Sequence, residues 1–138
     1  MSIRLRPDQL TALERHSRRY HQRSIGATLG LLLEEKLREE EYAQVAFRDS
    51  GAGREAYVMG TGLAVWEIML IARAYGNEPE KTGQHLGIPT SQVDAAFAYA
   101  AGFSAEIEAE LAENDAMDFE ALRRMLPSIQ RMSASTST

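Results

Sequence analysis

Apolar and polar side chains alternate over the first six residues, before the pattern changes to helical spacing. Met1, Ile3 and Leu5 are apolar and the residues between them are polar, which is typical of a strand with one buried face. Pro7 ends this strand, and the next extended stretch begins only near Val45. Because a strand needs a partner for its backbone hydrogen bonds, we expect it to pair with the same strand of a second copy.

The polar face of the paired strands would carry Ser2, Arg4 and Arg6 from each copy. A two-stranded ribbon fits the major groove of DNA, and arginine reads guanine edges there. Ser2, Arg4 and Arg6 are therefore the candidate base-reading residues. The alternative interpretation is a frayed N-terminal strand whose arginines face solvent.

Two helices are predicted after this strand. Pro7 and Asp8 start the first helix, and Ser24 is the N-cap of the second. Gly26, in the first turn of the second helix, lets the backbone approach a ligand closely. Residues 34–42 form an acidic run that we expect to be a solvated face. The second helix has a wide apolar stripe, made of Ile25, Leu29, Leu32, Leu33 and Leu37.

The order of strand, helix, short turn and capped helix over residues 1–45 resembles the ribbon-helix-helix family of DNA-binding proteins. The resemblance implies a dimer in which two chains exchange their first strands. In that family the second helix begins against a DNA phosphate, as helix N-termini favour anions. The matching phosphate-binding candidates here are Arg23, Ser24, Ile25 and Gly26.

Charge is distributed unevenly along the 138 residues, although the formal net charge is −5. Residues 1–23 contain six arginines and two acidic residues, whereas the rest contains nine basic and eighteen acidic residues. A basic end on an acidic body fits DNA contact at the N-terminus. The alternative is a solvated basic helix face.

Several classes of site and location are disfavoured by the sequence. The chain has no cysteine, which excludes disulfides, thiolate metal sites and a cysteine nucleophile. The histidines are scattered and no nucleophile motif is present, so we expect no enzyme activity, metal or cofactor. No apolar run approaches the ~18 residues of a membrane helix and no signal peptide is evident, so we expect a cytoplasmic protein without membrane association.

The middle of the chain is predicted to form a β-hairpin followed by helices. Extended stretches on either side of residues 49–53 flank a segment dense in turn formers. Helical spacing begins at Val65, and a tight turn at residues 87–89 gives a helix-turn-helix shape. Thr90 is expected to cap the would-be recognition helix. This helix carries no arginine or lysine, so we interpret it as a core or dimerisation element.

Four separated blocks in this part match the pattern of one known family, and they match it in order. The blocks are residues 45–49, 53–57, 60–68 and 95–99. Together they resemble a small bacterial domain of unknown function that is commonly encoded as an antitoxin beside a PIN-domain ribonuclease toxin. The resemblance covers residues 45–112 and implies a helix-turn-helix-like core of three helices. The family often has arginine where this chain has Gly62, so a charge role at that position does not carry over.

The C-terminal part combines an apolar stripe with arginines after a predicted hinge at Asn114 and Asp115. Antitoxins of this kind wrap such a segment over the toxin, where arginine would pair with the carboxylates that hold the nuclease metals. The alternative is that the segment packs back on residues 65–112. The candidate toxin-binding residues are Phe119, Leu122, Arg123, Arg124, Leu126 and Arg131.

We therefore predict a mainly α-helical chain in three parts. Residues 1–45 form a ribbon-helix-helix DNA-binding and dimerisation domain, residues 46–112 a hairpin plus trihelical domain, and residues 113–138 an amphipathic toxin-binding segment with a disordered tail. The predicted function is an antitoxin that neutralises a PIN-type toxin and, as a homodimer or higher oligomer, represses its own operon by binding double-stranded operator DNA. The alternatives are a stand-alone regulator whose C-terminal domain oligomerises or binds a ligand, and a structural interaction module without a DNA role.

Overall fold

The computed structural model describes residues 4–19, 24–51 and 53–125 of the chain. Within these residues the fold is mainly helical with one small antiparallel sheet, which confirms the predicted fold at that level. The elements in chain order are α1 (Pro7–Arg19), α2 (Ile25–Glu41), β1 (Val45–Ser50), β2 (Gly53–Val58), α3 (Val65–Ala74), α4 (Pro79–Leu86), α5 (Thr90–Gly102) and α6 (Ser104–Met125).

The two N-terminal helices begin as predicted. Pro7 is the first residue of α1, with Asp8 in its first turn. Ser24 is the N-cap of α2, and its Oγ accepts a hydrogen bond from the backbone N–H of Ala27 at 3.1 Å. Among the described helices and strands, α1 contacts only α2. Within the described part of the chain, α1 is therefore joined to the other helices and strands through α2.

The predicted hairpin is confirmed. β1 and β2 pair antiparallel, with Val45 opposite Val58 and Arg48 opposite Glu55. Gly53 has a φ of 124°, which an L side chain rarely adopts and glycine tolerates. Val45 and Val58 point into the core, because both are almost completely buried.

α3 and α4 end where glycine and asparagine allow left-handed backbone. α3 is followed by Gly76 and Asn77, both with positive φ, and α4 ends at Gly87 with a φ of 70°. We predicted that Thr90 would cap α5, and this is wrong by one residue. Pro89 is the N-cap and Thr90 is the first helical residue.

One hydrophobic core joins the hairpin to α3, α5 and α6. Tyr99 and Ile68 are the largest side chains in it that are fully buried. α4 packs on α3 and α5 at the edge of this core. The buried residues of the cluster are Val45, Ala56, Val58, Val65, Ile68, Val93, Ala96, Tyr99, Ala100, Ile107 and Leu111.

Two predictions about helices need correction. The hinge predicted at Asn114 and Asp115 is wrong, because α6 is continuous from Ser104 to Met125. No glycine or proline occurs in α6, so asparagine and aspartate there cost the helix only a few tenths of a kcal/mol, too little to break it. The acidic run of α2 is only partly a solvated face, because Glu35 is buried.

The predicted N-terminal strand remains a prediction. Residues 1–3 lie outside the described part of the chain, and Arg4, Leu5 and Arg6 belong to no helix or strand of the single chain. A strand that pairs only with a second copy has no partner within one chain. Separately, no helix in the described part of the chain is long and apolar enough to cross a membrane.

Candidate functional site

The predicted base-reading residues are only partly within the described chain. Ser2 lies outside it, whereas Arg4 and Arg6 are described and exposed. Arg6 Nε lies 3.3 Å from Asp8 Oδ1, and both side chains are 72% exposed. Such a surface ion pair contributes little, so Asp8 does not prevent Arg6 from reaching a ligand.

The first turn of α2 is exposed at Ser24, Ile25 and Gly26, three of the four predicted phosphate-binding residues. Arg23, the fourth, lies outside the described residues. The N–H groups of Ile25 and Gly26 have no intrahelical acceptor, because they open the helix. This end of the helix carries partial positive charge, which suits an anion. A Cβ added at Gly26 would meet nothing within 4 Å in this chain, so any need for glycine there would come from a ligand.

On α2, two polar residues are buried and three apolar residues are exposed, which is the opposite of what an ordinary amphipathic helix in a monomer shows at such positions. Thr28 and Glu35 are buried against the same chain, and Thr28 Oγ1 lies 2.7 Å from Ser17 Oγ of α1. The apolar residues Ile25, Leu33 and Leu37 are 36%, 49% and 66% exposed. Together with Leu29 they recur every four residues, which forms one helical ridge of the kind that packs into a groove of another helix. We call Ile25, Leu29, Leu33 and Leu37 the α2 ridge.

Arg38 of α2 anchors this helix to the C-terminal part of the chain. Its Nη1 donates hydrogen bonds to Tyr99 Oη at 2.7 Å and to Glu106 Oε1 at 2.9 Å. The guanidinium also lies 3.8 Å from the centroid of the Phe103 ring, a cation–π contact. Arg38, Tyr99 and Glu106 come from α2, α5 and α6, so one cluster fixes three helices.

Tyr99 completes the cluster from its buried position. Its hydroxyl donates to Glu106 Oε2 at 2.5 Å. Burial raises the pKa of Tyr99, and the hydrogen bond and charge of Glu106 raise it further, with Arg38 opposing. The hydroxyl therefore remains a hydrogen-bond donor under ordinary conditions.

A second ion pair holds α2 to the hairpin. Arg54 of β2 bonds Glu35 through Nε to Oε2 at 3.0 Å and through Nη2 to Oε1 at 2.5 Å. The hydrogen bonds to Glu35 outweigh burial and raise the pKa of Arg54, so the guanidinium stays charged. The bidentate geometry is the strong form of an arginine–carboxylate pair. Together, Arg38 and Arg54 hold the C-terminal half of α2 against the core.

The predicted toxin-binding residues lie at and beyond the end of α6. The positions of Phe119, Leu122, Arg123 and Arg124 fall within the helix, whereas Leu126 and Arg131 lie outside the described residues. Among the α6 side chains that the structure describes, Leu111 is the last that belongs to the core. The fourteen residues of α6 that follow Leu111 span about 21 Å at helical rise.

A cleft of about 360 Å³ separates the hairpin from α6. Trp66 of α3 lines it and donates its indole N–H to Glu55 Oε2 at 3.0 Å. Burial raises the pKa of Glu110 to about 7, and the carboxylates of Glu106, Glu55 and Glu113 raise it in the same direction. The cleft is lined by Ser50, Gly51, Arg54, Glu55, Trp66, Glu110, Glu113 and Asn114.

The helix-turn-helix shape is present in α4 and α5, but its outer face is not basic. Ser91, Asp94 and Ala98 of α5 are exposed, and α5 contains no arginine or lysine. Phosphate contacts by this helix would lack cations. We therefore keep the interpretation of α5 as a core element, since Val93, Ala96 and Tyr99 are all buried.

Sequence reasoning assigned no role to the charged residues of these clusters, among them Glu35, Arg38 and Glu110. One signal was available for α2, because Thr28, Glu35 and Tyr42 recur every seven residues and so share one helix face. A polar face with this spacing indicates contact with another part of the chain when the apolar face of the same helix packs against a different partner. No local signal distinguishes Glu110 from its acidic neighbours.

The chain has no match in comparisons with protein-family models, curated proteins and solved structures. In the described part of the chain, no group of three or more His, Asp or Glu side chains could hold a metal ion.

Proposed function

We propose that the protein is a dimeric DNA-binding repressor and the antitoxin of a type II toxin–antitoxin pair. The observation that carries the dimer is the burial pattern of α2, which hides Thr28 and Glu35 and exposes Ile25, Leu33 and Leu37 of the α2 ridge. Apolar surface removed from water stabilises association by about 25 cal/mol per Å². A second copy is the favoured occupant because one twofold axis would supply both missing partners, a strand for residues 1–6 and an apolar face for the ridge.

DNA binding is supported by two kinds of group at the N-terminal end of such a dimer. Arg4 and Arg6 are exposed and suited to base edges, and the first turn of α2 offers unpaired N–H groups to a phosphate. DNA-binding proteins combine base contacts with phosphate contacts of this kind. The acidic remainder of the chain would confine the DNA contact to this end.

Toxin binding is supported by the length of α6 beyond the core. A helix that continues about 21 Å past Leu111, the last of its described side chains in the core, suits a groove on a partner. Phe119 and Leu122 would supply apolar contacts, and Arg123, Arg124 and Arg131 would pair with the metal-binding carboxylates of a PIN-type nuclease. The alternative, a stand-alone regulator that binds a ligand, is favoured by one observation, the cleft between the hairpin and α6.

The dimer is tested by multi-angle light scattering of the full chain. We expect wild-type protein to be a dimer and Leu33→Glu to be a monomer, because the charge would be buried in the α2 ridge interface. Leu70→Glu is the matched control, since Leu70 is also an exposed leucine, 40% exposed, but lies in α3. A monomeric wild type, or a Leu33→Glu variant that stays dimeric, would contradict the proposal.

DNA binding is tested by fluorescence anisotropy with duplex DNA from upstream of the protein's own coding sequence. Replacing Arg4 and Arg6 by alanine should weaken binding by about fivefold to 150-fold for each lost base contact. Lys81→Ala is the control, because it removes one exposed charge from α4. Equal affinity of the double variant and the wild type would refute the role of these arginines.

Toxin neutralisation is tested by co-expression with the protein encoded by the adjacent gene. We expect the full chain to co-purify with that protein and to suppress its ribonuclease activity. Deletion of residues 114–138 should release the activity, because the toxin-binding segment is removed. The described core residues of α6, Ile107 and Leu111, are retained. If the full chain neither binds nor inhibits the neighbouring product, the stand-alone regulator replaces the antitoxin as the conclusion.

A further inference from the structure

The cations of the described chain differ in whether they have an acidic partner. From α2 onward, every lysine and arginine side chain that the structure describes forms an ion pair. These side chains are Lys36, Arg38, Arg48, Arg54, Arg73 and Lys81. Before α2, Arg6 pairs with Asp8. Three other arginines that precede α2 form no ion pair with any described residue, namely Arg4, Arg15 and Arg18.

A shortage of acids does not explain these unpaired arginines. The chain has 20 Asp and Glu residues against 15 Lys and Arg residues. Glu14 precedes Arg18 by four residues in α1, a spacing at which a glutamate and an arginine can pair. No ion pair joins these two described side chains. The guanidinium groups of Arg15 and Arg18 are therefore available to an anion of another molecule.

Arg15 and Arg18 share the face of α1 that points away from α2. α1 packs on α2 and buries Leu13 and Ser17. Arg15 is two residues from each of these, which places it about 160° around the helix from both. Arg18 is three residues beyond Arg15 and so lies on the same side, and both side chains are exposed. We call Arg15 and Arg18 the α1 basic face.

A chain of hydroxyl groups holds this end of α1 against the start of α2. The Thr28 hydroxyl donates to the carbonyl oxygen of Ser24 at 3.0 Å. Because a hydroxyl has one proton, Ser17 is the donor in the 2.7 Å bond between Ser17 Oγ and Thr28 Oγ1. Ser17 and Thr28 are both buried, and Ser24 is the N-cap of α2. Arg18 directly follows Ser17, so the backbone that carries the α1 basic face is fixed relative to the first turn of α2.

We propose that the α1 basic face is a second phosphate-contacting surface, which binds the backbone of double-stranded DNA beside the first turn of α2. The inference rests on the proposed function, because it extends the DNA contact to residues that the base-reading and phosphate-binding sets do not include. A DNA duplex carries one negative charge per about 1.7 Å of its axis, so further phosphates follow the one that α2 would meet. Arginine binds phosphate with two parallel hydrogen bonds, and such contacts add affinity without reading the sequence.

The salt dependence of DNA affinity tests this surface, because each phosphate contact releases counterions. The assay is fluorescence anisotropy of the full chain with duplex DNA from upstream of its own coding sequence and with a scrambled duplex of equal length. Each phosphate contact contributes about 0.9 to the slope of log affinity against log salt. Between about 50 and 200 mM salt, wild type should therefore lose about twelvefold more affinity than the double variant Arg15→Gln with Arg18→Gln. The loss of affinity in the variant should be the same for both duplexes.

Two control variants separate phosphate contact from other effects of charge. Arg15→Lys with Arg18→Lys should keep the salt dependence of wild type, because counterion release follows the charge that is neutralised. Arg73→Gln with Lys81→Gln removes the same net charge from α3 and α4, where the side chains are 46% and 62% exposed. This second control should also keep the wild-type salt dependence. Circular dichroism of each variant shows that the comparison is made between folded proteins.

The outcomes distinguish this inference from the proposed function. If wild type binds duplex DNA and the glutamine variant has the same salt dependence, the α1 basic face is not a phosphate contact, whereas DNA binding stands. If wild type binds neither duplex at any salt concentration, DNA binding itself is refuted. A glutamine variant that loses the preference for the upstream duplex over the scrambled one would overturn the sequence-independent role. Tighter binding of wild type to duplex RNA than to duplex DNA of the same sequence would overturn the choice of DNA as the partner.

Discussion

The ion pair between Glu35 and Arg54 gives the sharpest prediction about stability. Glu35 is only 7% exposed, and the Arg54 side chain is 16% exposed. Two hydrogen bonds, of 3.0 and 2.5 Å, join them and so join α2 to the hairpin. Replacing Arg54 by methionine keeps the apolar stem and leaves the Glu35 carboxylate buried without its cation.

The expected loss of unfolding free energy follows from the desolvation of the buried charge. Removing one partner of a buried pair costs about 3–5 kcal/mol, because the other charge remains uncompensated. We expect about 3 kcal/mol for Arg54→Met, at the lower end, since part of Arg54 is exposed and water can reach the site. The double variant Glu35→Met with Arg54→Met should be within about 1 kcal/mol of wild type, because well-packed apolar residues often replace a buried pair without loss.

The assay is urea unfolding of all four proteins of this double-mutant cycle, followed by far-ultraviolet circular dichroism. The coupling between the two sites should exceed about 2 kcal/mol, beyond the additive behaviour of independent positions. Protein concentration must be held constant, because the proposed dimer makes apparent stability concentration-dependent. A loss below about 0.5 kcal/mol for Arg54→Met, which is typical of surface substitutions, would refute the buried pair.

Three further predictions concern single positions. Ser24→Ala should lower the unfolding free energy by about 1 kcal/mol in a urea titration, because the N–H of Ala27 loses its cap. Gly83→Ala should destabilise by about 1–3 kcal/mol in the same assay, since its Cβ would lie 2.8 Å from the carbonyl oxygen of Ile88, whereas Gly51→Ala, which meets nothing within 4 Å, should stay within about 0.5 kcal/mol. Glu110 has a pKa raised to about 7, so its contribution to stability is complete below about pH 4.5 and lost as pH rises to about 7. Thermal unfolding across this range should show wild type losing about 1–2 kcal/mol relative to Glu110→Gln, a value reduced for the half-buried position of the carboxyl.

Local chemistry made much of the fold predictable. The hairpin was predicted from its turn formers and Ser24 from its capping chemistry, and the structure confirms both. The end of α3 at Gly76 and Asn77 follows from the left-handed backbone that these residues accept. Each of these signals acts over a few residues, so tertiary contacts are not needed to read it.

The candidate site was less predictable because its decisive contacts are distant in sequence. Arg38 meets Tyr99 and Glu106, which lie more than sixty residues away. The acidic run of α2 gives no sign of which carboxylate an arginine will meet. The hinge predicted at Asn114 and Asp115 was wrong. The weak helix propensity of these two residues is too small to interrupt α6, which is continuous.

The amino-acid sequence by itself determined the hairpin and the starts of α1 and α2, since caps, turn formers and apolar spacing act locally, whereas the continuity of α6 did not follow from it. It also determined the division between a basic N-terminal segment and an acidic body. Only the tertiary structure decided which face of α2 is covered, with Glu35 buried and Leu37 exposed. The physical reason is that burial depends on the partner available in space: a carboxylate that meets Arg54 is stable inside, while a leucine that meets no surface of its own chain remains in water.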